Sequence, residues 1–155
     1  MSELKTTLKA DMVAAMKARD DLTKGTLRMV LAAITTAEVA GDEARELGDD
    51  EVLALLTREV RTRKDSAQAY TDGGRPELAD KELAEVGVLQ RYLPADLTSD
   101  ELATMVAEEV ASAEAGLGQK PTMKQMGQIV RAVNERAAGR AEGGEVARLV
   151  RQALA

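Results

Sequence analysis

Apolar residues recur along this chain at intervals of three and four, and no stretch alternates convincingly at an interval of two. A period near 3.6 gathers such residues on one stripe of an α-helix, whereas a half-buried strand needs strict alternation. The expectation is therefore an all-α protein. Leu4, Leu8, Met12 and Ala15 make a first stripe, with Lys5, Lys9 and Lys17 off it. Leu27, Val30, Leu31, Ile34 and Ala37 make a second. The polar, glycine-bounded segment 41–48 predicts a loop, with Asp49 as the N-cap of a third helix and Asp50 and Glu51 favouring its positive start. That helix carries Leu53, Leu56, Val60, Ala67 and Tyr70 and stops at Gly73-Gly74. Pro76 suits the first turn of a fourth, whose stripe is Leu78, Leu83, Val86, Leu89 and Leu93 and whose end is Pro94.

Short connections between these helices predict an antiparallel four-helix bundle over residues 1–94. A small three-helix domain is expected over residues 95–155. Thr98 and Glu101 form a capping-box pattern ahead of Leu102, Val106 and Val110, and Gly116 and Gly118 end that helix. Thr122 and Gln125 repeat the pattern after Pro121, ahead of Met126, Ile129, Val130 and Val133. A turn over 139–144 leads to a last helix with Val146, Leu149, Val150 and Leu154.

The chain has no Cys, His, Trp or Phe, and Tyr70 and Tyr92 are its only aromatic residues. That excludes thiol nucleophiles, Ser-His-Asp triads, His- or Cys-ligated metals and disulfide frameworks. It also removes the aromatic platforms on which RNA-recognition sheets and oligonucleotide-binding barrels stack bases. Neither a metal nor a cofactor is expected. No apolar run is long enough for a membrane span, and Met1-Ser2-Glu3-Leu4-Lys5 lacks the basic start and apolar core of a signal peptide. A cytoplasmic protein is the resulting expectation.

Net charge is −6 over 155 residues, unlike a dedicated nucleic-acid binder. Residues 1–93 balance to −4 and residues 94–116 to −6, whereas residues 117–155 balance to +4. The C-terminal stretch is a basic island on an acidic chain.

The acidic clusters Asp20-Asp21, Asp49-Asp50-Glu51 and Glu108-Glu109 fall at expected helix starts or on solvated faces, where acids are ordinary. Two glycine-rich loops, 116–121 and 139–144, precede helices but follow no strand and match neither the P-loop nor the dinucleotide pattern. Each still places backbone N–H groups near a cation. Lys120 and Lys124 flank one helix start and Arg140 precedes the other, against the preference of the helix dipole for acids. An oxyanion such as a nucleic-acid phosphate would use both kinds of donor. Lys124 and Arg131 lie seven residues apart and share a face, as do Arg148 and Arg151 on the last helix. A solvated charged surface accounts for the same pattern.

From Arg63 to Pro94 the order Arg63-Lys64-Asp65-Ser66, Tyr70, Gly74-Arg75, Leu78-Ala79, Glu82, Glu85 and Tyr92-Leu93-Pro94 resembles the GatB/YqeY family. Leu27-Arg28-Met29, Met126-Gly127, Gly139-Arg140-Ala141 and Gly143 resemble further parts of it. The resemblance implies an N-terminal bundle and a C-terminal three-helix domain similar to the tail of the B subunit of tRNA-dependent amidotransferase. There catalysis and ATP use belong to other domains, and the tail helps to hold tRNA. The implied role is a non-catalytic accessory module, with tRNA, an amidotransferase or an aminoacyl-tRNA synthetase as partner. The alternatives are a protein-interaction module without RNA contact, or the family's carbon–nitrogen ligase activity with glutamine as amide donor. Candidate phosphate contacts are Lys120, Lys124, Arg131, Arg140, Arg148 and Arg151. Gly127, Gly139 and Gly143 are expected in backbone roles, close helix approach and turn geometry. The family pattern has Asp-Gly where this chain has Glu142-Gly143, and the longer carboxylate is a poorer cap.

Overall fold

The computed structural model of the chain describes residues 2–155. Among them, seven α-helices and one 3-10 turn make up the regular structure, with no strand. The helices are α1 (Glu3–Lys17), α2 (Asp21–Glu38), α3 (Asp49–Asp72), α4 (Pro76–Gln90), α5 (Ser99–Leu117), α6 (Met126–Ala137) and α7 (Gly143–Leu154), with the 3-10 turn at Met123–Gln125. The chain divides into two compact units, Met1–Leu93 and Pro94–Ala155.

In the first unit α1 packs along α2 and α3 along α4. Leu8, Leu27, Val30, Ile34, Leu56 and Leu89 are wholly buried at its centre. The reversals between helices follow from local chemistry. After α1, the Arg19 N–H donates to the Met16 carbonyl and the Asp20 N–H to that of Ala15, a Schellman closure with Arg19 at φ +57°. Asp20 then caps α2, accepting the Thr23 N–H at 3.1 Å and the Thr23 hydroxyl at 2.7 Å. The same closure ends α3, with Gly74 in the left-handed position at φ +73° and the Arg75 N–H on the Tyr70 carbonyl. Pro76 occupies the first turn of α4, as its fixed φ and missing N–H allow.

Several residues depart from the sequence expectation. Asp49 does not cap its own helix. Its Oδ1 accepts the Ser2 hydroxyl and the Leu4 N–H, the latter at 3.1 Å, so it ties the start of α1 to the start of α3. Gly48 is the N-cap of α3, and the Glu51 carboxylate reaches back to the Gly48 N–H at 3.1 Å. Lys5 lies inside the apolar stripe of α1, with its ammonium 2.6 Å from the Glu38 carboxylate. Glu38 also accepts the Leu47 N–H at 3.2 Å, folding buried Leu47 from the loop onto the core. Tyr70 and Leu83, assigned to apolar stripes, are exposed.

The segment that carries the family resemblance is a buried polar lock. The Arg63 guanidinium meets Glu85 of α4 at 3.0 Å and Glu59 of its own helix at 2.6 Å, with side-chain exposure of only 9%. Burial opposes its charge, but the bonds to Glu59 and Glu85 outweigh that and raise its pKa. The Tyr92 hydroxyl donates to Asp11 of α1 at 2.6 Å, and burial followed by that bond raises the phenol's pKa.

In the second unit α5, α6 and α7 pack on one another around Leu102, Val106, Ile129, Val133, Val146 and Val150. The Thr98 hydroxyl caps α5 by accepting the Glu101 N–H at 3.1 Å. Gly118 ends it at φ +74°, and Ala138 and Gly139 end α6 at φ +49° and +83°. The acidic stretch 94–116 therefore forms most of a helix within the same unit as the basic island. Over 94–155 the chain carries seven cations and nine carboxylates, so the unit as a whole is not basic.

Candidate phosphate-binding surface

After buried Pro121, Thr122 folds the chain into the 3-10 turn: the Gln125 side-chain carbonyl accepts the Thr122 N–H at 2.7 Å, and the Thr122 hydroxyl accepts the Lys124 N–H at 3.4 Å. This reciprocal cap aims the turn into α6. Lys124, Gln128 and Arg131 follow at i, i+4 and i+7 and are all exposed, on the side away from Ile129 and Val133. The spacing that singles out the two cations singles out uncharged Gln128 between them as well.

The seven cations of the basic island separate into two groups. Three are engaged within the protein. The Arg140 Nε donates to the Ala95 carbonyl at 2.7 Å, while its own carbonyl accepts the Leu97 N–H at 2.9 Å. Arg140 thus clasps the segment leading into α5 through one of its five N–H donors. Arg148 is forked onto Glu145, at 2.5 and 3.1 Å, which raises the guanidinium's pKa and lowers the carboxylate's. Arg136 bridges Glu108 at 2.7 Å and Glu109 at 3.1 Å, accounting for that acidic pair and raising its own pKa. Lys120, Lys124, Arg131 and Arg151 form the second group. All four side chains are exposed and make neither an ion pair nor a hydrogen bond within the described residues.

The glycines divide in a similar way. Gly139 holds the left-handed backbone that a turn needs. A Cβ on Gly127 or Gly143 would meet nothing within 4 Å, so neither serves a close helix approach. Gly143 opens α7 without a positive φ, and the preceding Glu142 caps that helix with no side-chain bond to it.

Among the described residues, no group of three or more acidic side chains could hold a metal ion, and no helix is long and apolar enough to cross a membrane. Fold and surface together define a two-unit, all-helical protein in which Lys120, Lys124 and Arg131 stand exposed before and along α6. The family profile described as Yqey-like protein matches residues 5–154, and the chain belongs to that family. Curated relatives are fungal proteins named altered inheritance of mitochondria protein 41, mitochondrial. That of Meyerozyma guilliermondii is 29% identical over 131 residues, covering 83% of this chain and 68% of the relative. That of Vanderwaltozyma polyspora is 36% identical over 88 residues, covering 56% and 46%. That of Saccharomyces cerevisiae is 31% identical over 97 residues, covering 61% and 51%. In the latter two the match spans about half of the relative's length. The mitochondrial designation of these relatives overturns the cytoplasmic expectation, which rested on the lack of a membrane-length apolar run and of a signal-peptide start. Neither the family description nor the relatives' names indicate catalysis.

Proposed function

We propose that the chain is a non-catalytic accessory module in which an N-terminal four-helix bundle carries a three-helix domain that contacts the phosphates of tRNA. One observation supports the reading: Lys124 and Arg131 share an exposed face of the 3-10 turn and α6 with no partner among the described residues. Lys120 before the turn and Arg151 on α7 extend the set of unpaired cations. Contacts of this kind read backbone shape rather than sequence. Binding is weak because the remaining charge of the unit is acidic, and few counterions are released. With up to four phosphate contacts, the slope of log affinity against log salt is no steeper than about −4.

Retention of total tRNA across a salt series tests this. The parent chain should bind at low salt and lose binding with that slope. A Lys124→Glu/Arg131→Glu variant should keep its helical circular dichroism and bind at least about tenfold more weakly, since two attractive contacts become repulsive. Arg148→Gln should change little, because Arg148 is already satisfied by Glu145. Equal retention by the double variant and the parent would discard this surface.

A further inference from the structure

Thr23, Thr26, Leu27, Val30 and Ile34 form the buried stripe of α2. A second stripe runs along another side of the same helix through Leu22, Gly25, Met29, Ala32 and Thr36 to Val39, the residue that caps its C-terminal end. The steps of three and four alternate without a break, the spacing that keeps one seam along a helix for knobs-into-holes packing. Leu22, Met29 and Val39 are 43%, 46% and 59% exposed, and Ala32 and Thr36 are exposed between them. No charged residue falls on the seam. The Thr36 hydroxyl donates to the Ala32 carbonyl at 2.9 Å, so the one polar side chain of the seam is satisfied within the helix. With 18 residues at 1.5 Å each, α2 gives the seam a length of about 27 Å. A helix that is apolar on two sides belongs in an interior, yet its neighbours in the first unit leave this side of α2 bare.

We propose that this seam docks a helix of a partner protein that carries carboxylates beside its apolar stripe. Gly25 and Ala32 alternate with Leu22, Met29 and Val39, so small positions admit a partner's side chains while larger ones supply the knobs. The unbranched thioether of Met29, at the middle of the seam, adapts to the shape it meets. Charge decides between the possible occupants. Both carboxylates of α2 are taken, Asp21 by Lys24 at 3.3 Å and Glu38 by Lys5 at 2.6 Å. Arg28 lies three residues after Gly25 and four before Ala32, which makes it a neighbour of both on the helix surface. Arg19 stands in the turn that leads into α2, three residues before Leu22. Both arginine side chains are exposed and make neither an ion pair nor a hydrogen bond within the described residues. A second copy of the chain, paired seam to seam about Met29, would bring Arg28 against Arg28 with no free carboxylate of either α2 between them. A helix with glutamates or aspartates along its flank satisfies the same arginines. A nucleic-acid strand finds neither a row of cations on the seam nor an aromatic on which a base could stack.

The probe is a fluorescein-labelled peptide of about 18 residues, with leucine or alanine at alternating steps of three and four and glutamates on both flanks. A lysine-flanked counterpart and a permuted peptide of the same composition serve as comparisons, all read by fluorescence anisotropy with the full chain. The glutamate peptide should bind in preference to both. Met29→Glu should weaken it at least about tenfold, because a charge then stands at the middle of the seam. Gly25→Gln tests the same face by bulk alone and should weaken it similarly. A Cβ on Gly25 meets nothing within 4 Å, so the fold is kept while the close approach is blocked. Arg28→Glu should weaken the glutamate peptide about threefold and strengthen the lysine peptide, and Leu117→Glu in the second unit should change neither. Failure of the glutamate peptide to bind the parent, binding of the lysine peptide as tightly, or an unchanged affinity in Met29→Glu and Gly25→Gln would each overturn the proposal. So would a sedimentation mass that doubles with concentration in the parent but not in Met29→Glu, which would give the seam to a second copy. Retention of tRNA should be the same in Met29→Glu as in the parent, so this test and that of the phosphate surface fail independently.

Discussion

Arg63 illustrates how a charged residue can serve the core. A guanidinium with 9% side-chain exposure persists because Glu85 from the neighbouring helix and Glu59 from its own turn satisfy it together. Removing one partner from a buried pair is costly, whereas exchanging the set for apolar residues of similar volume can be neutral. Glu85→Ala should therefore destabilise the first unit by about 2 kcal/mol, below the usual cost of an orphaned buried charge because Glu59 remains. Arg63→Met combined with Glu85→Leu should recover most of that loss, as read by urea denaturation followed by circular dichroism. A double variant no more stable than Glu85→Ala would show that the ion pair contributes more than its desolvation costs. The residues that give the chain its family resemblance, Arg63, Glu85 and Tyr92, are thus fastenings between helices in this unit.

At the scale of the helices, local chemistry was legible and long-range chemistry was not. The caps at Thr98 and Thr122, the proline at the head of α4 and the glycine stop after α3 depend on residues within a few positions of one another, and the sequence displays them. Lys5 reaches Glu38 across 33 positions and Arg140 reaches Ala95 across 45, so neither engagement has a local signal. Arg148 was different: Glu145 lies one turn away, and the spacing alone would have revealed its partner. Tyr70 and Leu83 kept helical period yet lie exposed, because periodicity identifies a stripe without showing how far the opposing helix covers it. The ends of helices also carry a measurable irregularity. Ala138 at φ +49° and Arg19 at φ +57° occupy positions that suit glycine. The left-handed backbone costs an L-residue about 1–2 kcal/mol, partly offset in a glycine variant by the entropy of its unfolded chain. Ala138→Gly should raise the stability of the second unit by about 0.5–1 kcal/mol, detected as an upward shift of its thermal midpoint, and a lowered midpoint would contradict the assigned turn.

Across the whole molecule, carboxylates with lowered pKa values concentrate in the first unit. Asp20 is held down by its bonds from the Thr23 hydroxyl and N–H, Glu38 by Lys5 and the Leu47 N–H, and Asp49 by Ser2 and the Leu4 N–H. Glu51 falls to about 2 through Arg45 and the Gly48 N–H. In the second unit only Glu145 is lowered in this way among the described residues, by Arg148. A carboxylate whose folded pKa lies below its unfolded value binds fewer protons when folded. Its contribution is complete above the unfolded pKa of about 4 and is lost as pH falls toward the folded value. Asp20, Glu38, Asp49 and Glu51 each also tie a helix end or a loop to its surroundings, so protonation loosens the connections between helices. On acidification from pH 7 to pH 2, backbone amide NMR signals of residues 2–93 should therefore broaden or collapse at a higher pH than those of residues 94–155. The loss should begin near pH 4 and deepen toward pH 2. Glu51→Gln should lose part of this acid sensitivity while being less stable at pH 7, because its amide cannot replace the ion pair with Arg45. Earlier loss of the second unit's signals would mean that the carboxylate bonds of the first do not govern its acid stability.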